Sequence, residues 1–163
     1  MALALRSLFL LCGLTGLLTG VGSFPTRVFK DVNCPEGWTQ LDLKCYIGED
    51  DPRTFQDAEA VCNILGGNLV SIASDLENAV VGEIGQTVIT GTFMTVWIGL
   101  FDNIEEGTYF WTDGTNNDHD NFDTGEPVSA NGDCVEMVTS TAAWNTETCT
   151  TELPFICTKA AGH

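Results

Sequence analysis

The sequence predicts an α+β domain in which two helices are combined with short antiparallel strands and one long polar loop. Three observations carry this prediction, of which the first two are helical spacing of apolar residues between positions 54 and 85 and a change to β-branched and aromatic residues beyond Gly91. The third is the segment 115–131, which is dense in Asn, Asp and Gly. A loop of this length in a compact domain usually carries function.

The two helices have clear start signals. Apolar residues recur at helical spacing over residues 55–65, Thr54 or Asp51 supplies the start signal, and Gly66 and Gly67 supply the stop. A second helix is predicted where Ser74 and Glu77 stand three residues apart, because these side chains satisfy the first free amides of a helix. We expect it to end near position 85.

Short strands are predicted on both sides of the helices. Residues 44–46 follow a turn and read as part of a strand pair, and residues 68–72 alternate as a strand does. The later strands are predicted at residues 93–100, 108–112, 135–138, 141–144 and 155–157. The three tryptophans in this part of the chain, with Phe101 and Phe122, are expected to pack in the core.

The chain begins with a segment typical of a secretory signal peptide. Arg6 precedes an apolar run over residues 8–18, which is shorter than the roughly 20 residues that span a bilayer, and small residues follow at 21–23. No later stretch predicts membrane insertion or a lipid anchor. We therefore expect a secreted, extracellular protein, divided into a signal peptide (1–23), an N-terminal arm (24–33), one domain (34–159) and a tail (160–163).

The charge balance excludes some partners. The chain has 23 acidic residues against 6 Lys and Arg, for a formal net charge of −17. Such a surface repels nucleic acid and anionic lipid head groups, which are attracted by basic patches. Divalent cations are compatible with it.

Six of the seven cysteines remain after the leader. An even number of cysteines in an oxidising compartment favours three disulfides over free thiols or zinc ligands, but their pairing does not follow from the count. The six residues are Cys34, Cys45, Cys62, Cys134, Cys149 and Cys157.

The sequence contains no motif for catalysis. Nucleophile elbows, zinc-protease helices and phosphate-cradling loops are missing, so we do not expect an enzyme. His119 lies among acidic and amide residues, and we expect a solvated loop histidine at this position.

The order of several motifs resembles the C-type lectin-like domain family over almost the whole mature chain, from about Cys34 to Cys157. The motifs are Cys34-Pro-Glu-Gly-Trp38, Trp97-Ile-Gly-Leu100, Gly125-Glu-Pro127, Asp133-Cys134, Trp144-Asn145 and Pro154-Phe-Ile-Cys157. The resemblance implies the C-type lectin-like fold. It also implies disulfides between Cys34 and Cys45, Cys62 and Cys157, and Cys134 and Cys149.

Lectins of this family commonly bind sugar through a calcium ion in the long loop, and calcium takes about six to eight oxygen ligands. The resemblance therefore implies calcium as a cofactor and glycans as partners. By position, it implies metal ligands at Asp102, Glu106, Glu126, Asp133 and Asn145. It implies a ligand-binding set at Glu126, Val128, Asn131, Asn145 and Thr146.

The main calcium site departs from the family pattern. Val128 stands where the family has Asn or Asp, Gly132 where it has Glu, and Thr146 where it has Asp. We expect this site to be defective, because valine and glycine offer no side-chain oxygen. Two rescues remain open: Asn131 turning into the vacant position, or Thr146 coordinating through its hydroxyl.

The auxiliary calcium set of the family is better preserved. Asp102, Glu106 and Asp133 stand where its acidic ligands fall, although Ser129 replaces another carboxylate. The alternative interpretation is a solvated acidic loop without metal.

The sequence thus predicts a secreted lectin that recognises glycans on microbial or host surfaces, as in innate immunity, with a partly degenerate calcium site. The alternative is a lectin-like scaffold that has lost calcium-dependent sugar binding and engages a protein, a mineral or ice. The substitutions Val128, Gly132 and Thr146 motivate this alternative. The sequence leaves the identity of the sugar and the oligomeric state open.

Overall fold

A computed structural model describes residues 33–89 and 91–162. The expected signal peptide and nearly all of the expected N-terminal arm lie outside the described residues. The elements are β1 (Thr39–Leu41), β2 (Lys44–Arg53), α1 (Phe55–Ile64), β3 (Asn68–Leu69), α2 (Asp75–Val88), β4 (Thr95–Phe101), β5 (Phe110–Trp111), β6 (Cys134–Val138), β7 (Ala143–Glu147) and β8 (Leu153–Ala160). Two helices and a largely antiparallel sheet confirm the predicted α+β class.

Helix α1 begins and ends where the sequence predicts. The Thr54 hydroxyl accepts a hydrogen bond from the Asp57 amide at 3.3 Å. The helix stops before Gly66, whose φ of +88° is a conformation that glycine adopts without steric cost. The buried face of the helix consists of Phe55, Ala58 and Cys62.

Helix α2 has the predicted capping box. The Ser74 hydroxyl accepts from the Glu77 amide at 3.2 Å, and the Glu77 carboxylate accepts from the Ala73 amide at 2.8 Å. The helix continues to Val88, three residues beyond the predicted end. Within the part of the chain described, no helix is long and apolar enough to cross a membrane.

The strands form one sheet in the order β1-β2-β8-β4-β6-β7, with β3 paired to β8 and β5 paired to β4. All pairings are antiparallel except β4 with β8. Strands β2, β6 and β8 are longer than predicted, and β3 and β5 are shorter. Strand β7 starts at Ala143 rather than at 141, because Ala142 has a φ of +57° in a turn. The long loop leaves the sheet after β5 and returns to it at β6.

The core has two clusters of buried side chains. Trp97, Trp111 and Trp144 are all buried, as predicted, and the Trp97 indole N–H donates to the Arg53 carbonyl at 3.0 Å. Phe101 and Phe122 are half-buried at the edges of these clusters.

Three disulfides have the pairing that the resemblance implies: Cys34 with Cys45, Cys62 with Cys157, and Cys134 with Cys149. The second joins α1 to β8 across a separation of 95 residues. In the chain-entropy picture, closing so long a loop stabilises the fold by about 4–5 kcal/mol. The third joins the first residue of β6, directly after the long loop, to the segment after β7.

Helix α2 is fixed to the base of the long loop through Asn78. This residue is only 7% exposed. Its amide donates to the Ala142 carbonyl at 3.0 Å, and its side-chain oxygen accepts from the Trp144 indole N–H at 2.8 Å. The helix can approach closely because a Cβ at Gly82 would lie only 3.0 Å from the Ala142 Cβ. Asn78 thus sets the position of β7, on which the candidate site is built.

We expect Asn78→Ala to lower the free energy of unfolding by about 2–4 kcal/mol, because it leaves the buried Trp144 N–H and the Ala142 carbonyl without this partner. Urea denaturation measures the change. Glu83→Ala, an exposed substitution on the same helix, is the control and should shift stability by no more than about 0.5 kcal/mol. Equal effects of the two variants would contradict the bridging role.

Candidate functional site

The long loop, residues 112–133, is anchored to β7 through Trp144. The Trp144 amide donates to the Asn121 carbonyl at 2.9 Å, and the Trp144 carbonyl accepts from the Asp123 amide at 2.9 Å. The Asn121 side chain also donates to the Ala142 carbonyl at 2.6 Å. These bonds hold the middle of the loop against the sheet.

Aromatic rings complete this anchor. His119 and Phe122 pack edge-on against Trp144 with ring centroids 5.6 and 5.8 Å away, and Tyr109 packs against Phe122 at 5.2 Å. The expectation of a solvated His119 is wrong, since its side chain is only 13% exposed. Its Nε2 atom is buried without a hydrogen-bond partner among the described residues and lies 4.0 Å from a carboxylate oxygen of Asp75.

Four of the predicted ligand-binding residues meet in one hydrogen-bonded cluster, which we call the Glu126 network: Glu126, Val128, Asn131 and Thr146. The Thr146 hydroxyl donates to Glu126 Oε2 at 2.6 Å, and the Thr146 amide donates to the same oxygen at 3.1 Å. The Val128 amide lies 3.0 Å from that oxygen and 3.1 Å from the Thr146 hydroxyl. The side-chain amide of Asn131 donates to Glu126 Oε1 at 3.3 Å. Both carboxylate oxygens of Glu126 are therefore satisfied by the protein.

The network keeps Glu126 ionised. Burial alone would raise its pKa, but the hydrogen bonds from Thr146, Val128 and Asn131 outweigh burial and hold the pKa below its usual value. Because a hydrogen bond to an ionised carboxylate is stronger than one between neutral groups, Thr146 contributes to the stability of the loop.

Gly132 occupies the position where the family has a glutamate, and the backbone there leaves no room for a side chain. Its φ is +139°, and a Cβ would lie 2.4 Å from the Glu147 carbonyl oxygen. The close approach of the loop to β7 thus requires glycine.

The residues at the main site do not fit a calcium ion. Val128 and Gly132 offer no side-chain oxygen, and Thr146 uses its hydroxyl on Glu126. Asn131 does turn toward Glu126, but it presents its N–H, because an ionised carboxylate only accepts hydrogen bonds. Asn145 lies half-buried on β7 opposite Glu136 and makes no side-chain hydrogen bond to the Glu126 network.

The predicted ligands of the auxiliary calcium site, Asp102, Glu106 and Asp133, are spread over the turn after β4 and the end of the long loop. Asp102 is 1% exposed; its Oδ2 accepts from the Gly107 amide at 2.9 Å, and its Oδ1 has no partner among the described residues. The Asp102 amide donates to the Asp133 carbonyl at 3.0 Å, and Glu106 is exposed. Burial and then the Asp102 carboxylate raise the pKa of the neighbouring Tyr109 to about 12. Among described residues, no group of three or more His, Cys, Asp or Glu side chains is placed to hold a metal ion.

The sequence model of the family described as "Lectin C-type domain" matches residues 51–159. The chain belongs to this family. As a C-type lectin domain it is a binding module and not an enzyme, and its fold and disulfides agree with the motifs read from the sequence.

Relatives of this lectin domain have different names. Human lithostathine-1-beta is 34% identical over 77% of this chain and 78% of its own length. A galactose-specific lectin, nattectin of Thalassophryne nattereri, is 32% identical over 93% of this chain and 92% of its own. Among solved structures, human lithostathine has a TM-score of 0.73 with 30% identity, over 78% of this chain and 99% of that one. A calcium-independent type II antifreeze protein has a TM-score of 0.72 with 32% identity, over 79% of this chain and 95% of that one.

We expect Thr146→Val to lower the free energy of unfolding by about 1.5–3 kcal/mol, because it keeps the shape of the side chain but removes a hydroxyl bonded to a carboxylate. Urea denaturation and amide exchange of the loop measure the effect. Thr150→Val is the matched control, since Thr150 is exposed and makes no side-chain hydrogen bond to other described residues. A loss as small as that of the control would show that the hydroxyl does not support the loop.

The lowered pKa of Glu126 predicts a pH dependence. A carboxylate whose pKa is lowered in the folded state stabilises the protein at pH values above its ordinary pKa of about 4.3. This stabilisation is lost as the pH falls through the pKa of the folded state. Glu126→Gln should therefore destabilise the protein near neutral pH, and the difference from wild type should shrink below about pH 4. The urea concentrations at the unfolding midpoints of the variant and the wild type, compared near neutral pH and below about pH 4, measure this difference. A difference that is independent of pH would contradict the ionised network.

Proposed function

We propose that the protein is secreted and recognises glycans through its long-loop face without calcium. The observation that carries the proposal is the Glu126 network, in which Thr146, Val128 and Asn131 provide the contacts to Glu126 that a metal would otherwise make. A loop that is already rigid offers a preorganised surface, which reduces the entropy lost on binding.

Several polar groups of this face remain available to a ligand. Asn131 and Ser129 are exposed, and the Asn145 side chain makes no hydrogen bond to the other described residues. Amides and hydroxyls of this kind pair well with sugar hydroxyls. Glycan recognition also has support among relatives, because nattectin is named a galactose-specific lectin and the structure of a cow CD23 domain was determined with an oligosaccharide.

The charge of the loop limits the class of glycan. The long loop, residues 112–133, contains six Asp and Glu residues and no Lys or Arg. A surface of one sign repels ligands of the same sign, so sialylated or sulphated glycans are disfavoured. Neutral or cationic glycans are the ligands that this face favours.

The second candidate function is a lectin-like scaffold that binds a protein, a mineral or ice. A specific observation favours it: a solved structure with a TM-score of 0.72 is that of a calcium-independent type II antifreeze protein. The same loss of calcium donors is compatible with either function, so direct binding has to decide between them.

A glycan array probed with the mature protein tests the proposal. We expect the same glycans to bind with calcium and with a chelator, because no step of recognition uses the metal. Asn145→Ala should weaken binding by roughly tenfold through loss of one or two hydrogen bonds to sugar. Asn103→Ala, an exposed amide in the turn after β4, is the control and should leave binding unchanged.

Two results would overturn the proposal. An array that stays blank in both conditions favours the scaffold alternative. Binding that needs calcium, together with a rise in melting temperature at millimolar calcium, would instead support the metal ligands implied by the resemblance, since a ligand of the native state raises the melting temperature by mass action.

A further inference from the structure

We propose that a cavity beside the Glu126 network binds an amine-bearing sugar residue, so that the preferred ligand is a cationic glycan with free amino groups. This inference rests on the proposed function and names its substrate class. The cavity has a volume of about 330 Å³ and opens between the turn at Gly107 and Tyr109 and the loop segment 117–122. Pro127 forms its edge next to Glu126.

Aromatic rings line one side of the cavity. Tyr109 and Phe122 both line it and are half-buried, so each ring keeps part of its surface open to a ligand. Phe122 is held by Trp144, and Tyr109 is held by Phe122 at 5.2 Å, which makes this wall rigid. Aromatic rings of this kind receive the apolar face of a sugar and attract a nearby cation. At about 330 Å³, the cavity is at the small end of ligand pockets.

Acceptor groups also line the cavity. Asp118 and Asn117 are exposed, and their side chains make no hydrogen bond or ion pair with the other described residues. One oxygen of Asp120 accepts from the Phe122 amide at 3.0 Å, which orients this carboxylate and leaves its second oxygen open. An ammonium group pairs with such carboxylates through charge-assisted hydrogen bonds, which are about twice as strong as neutral ones.

Nothing in the described part of the chain neutralises these carboxylates. Lys44 is paired with Glu77, Arg53 with Asp51, and Lys159 lies over the Trp38 ring, all outside the long loop. His119 also lines the cavity, but its Nε2 is buried and lies 4.0 Å from a carboxylate oxygen of Asp75 on α2. A cationic sugar therefore supplies the charge that the cavity lacks, whereas an anionic sugar is repelled and a neutral one donates hydroxyl hydrogen bonds to Asp118 without the attraction between opposite charges.

Calorimetry with two matched oligosaccharides tests the inference. The probes are a glucosamine oligomer with free amines and the N-acetylated oligomer of equal length, compared at about pH 5.5, because the oxygens of the sugar ring make its amine less basic than that of lysine, while Asp side chains of ordinary pKa are still ionised at this pH. We expect the free-amine oligomer to bind about tenfold more tightly, as one charge-assisted contact requires. Its affinity should fall with rising ionic strength.

Two variants connect the preference to the cavity. Asp118→Asn keeps the shape of the side chain and should reduce affinity for the free-amine oligomer by about tenfold, with little effect on the N-acetylated one. Glu152→Gln removes the same charge from an exposed position after β7 and should change either affinity by less than about twofold.

The outcomes separate this inference from the proposed function. Equal binding of both oligomers, or an Asp118→Asn variant that behaves like Glu152→Gln, overturns the cationic-sugar site while leaving glycan recognition intact. If neither oligomer nor any array glycan binds, both proposals fail. If only neutral glycans bind, the proposed function stands and the amine preference is wrong.

Discussion

The long loop depends on the contacts of one buried residue, Trp144. Its backbone pairs with loop residues Asn121 and Asp123, its indole N–H reaches Asn78 on α2, and its ring supports His119. Because the ring is fully buried, these contacts are shielded from competing water. A polar loop without regular secondary structure is thereby held in a fixed position on the sheet. This also fixes the positions of the candidate binding groups.

The Glu126 network provides partners for the Glu126 carboxylate in a way that differs from the family pattern. A carboxylate at this point of a C-type lectin domain needs partners of positive or partly positive charge. Here the partners are the hydroxyl and amide of Thr146 and the amides of Val128 and Asn131. Each bond is modest, but several bonds to one ionised group together lower its pKa despite its partial burial.

Much of the fold could be predicted from the sequence, because helix caps and apolar spacing are local signals. The Ser74–Glu77 capping box is an example, and the motifs of the family supplied the cysteine pairing. Strand ends were less predictable, since the start of β7 depends on the backbone conformation of Ala142.

The candidate site was harder to predict because it depends on contacts between distant segments. Thr146 follows Trp144 by two residues on a strand, so alternation predicts that both side chains point to the buried side. That Thr146 meets Glu126, 20 residues earlier in the chain, is visible only in the folded protein. The burial of His119 has no local signal either, since its neighbours in sequence are exposed acids and amides.

Gly132 limits which side chains the end of the long loop can accept. Its missing side chain allows the loop to run against the Glu147 carbonyl, so a glutamate introduced at this position alone meets backbone rather than open space. With this loop path, a carboxylate at position 132 would require the backbone around it to move away from β7. The path of the chain, and not only the identity of one residue, therefore decides which side chains this part of the binding face can carry.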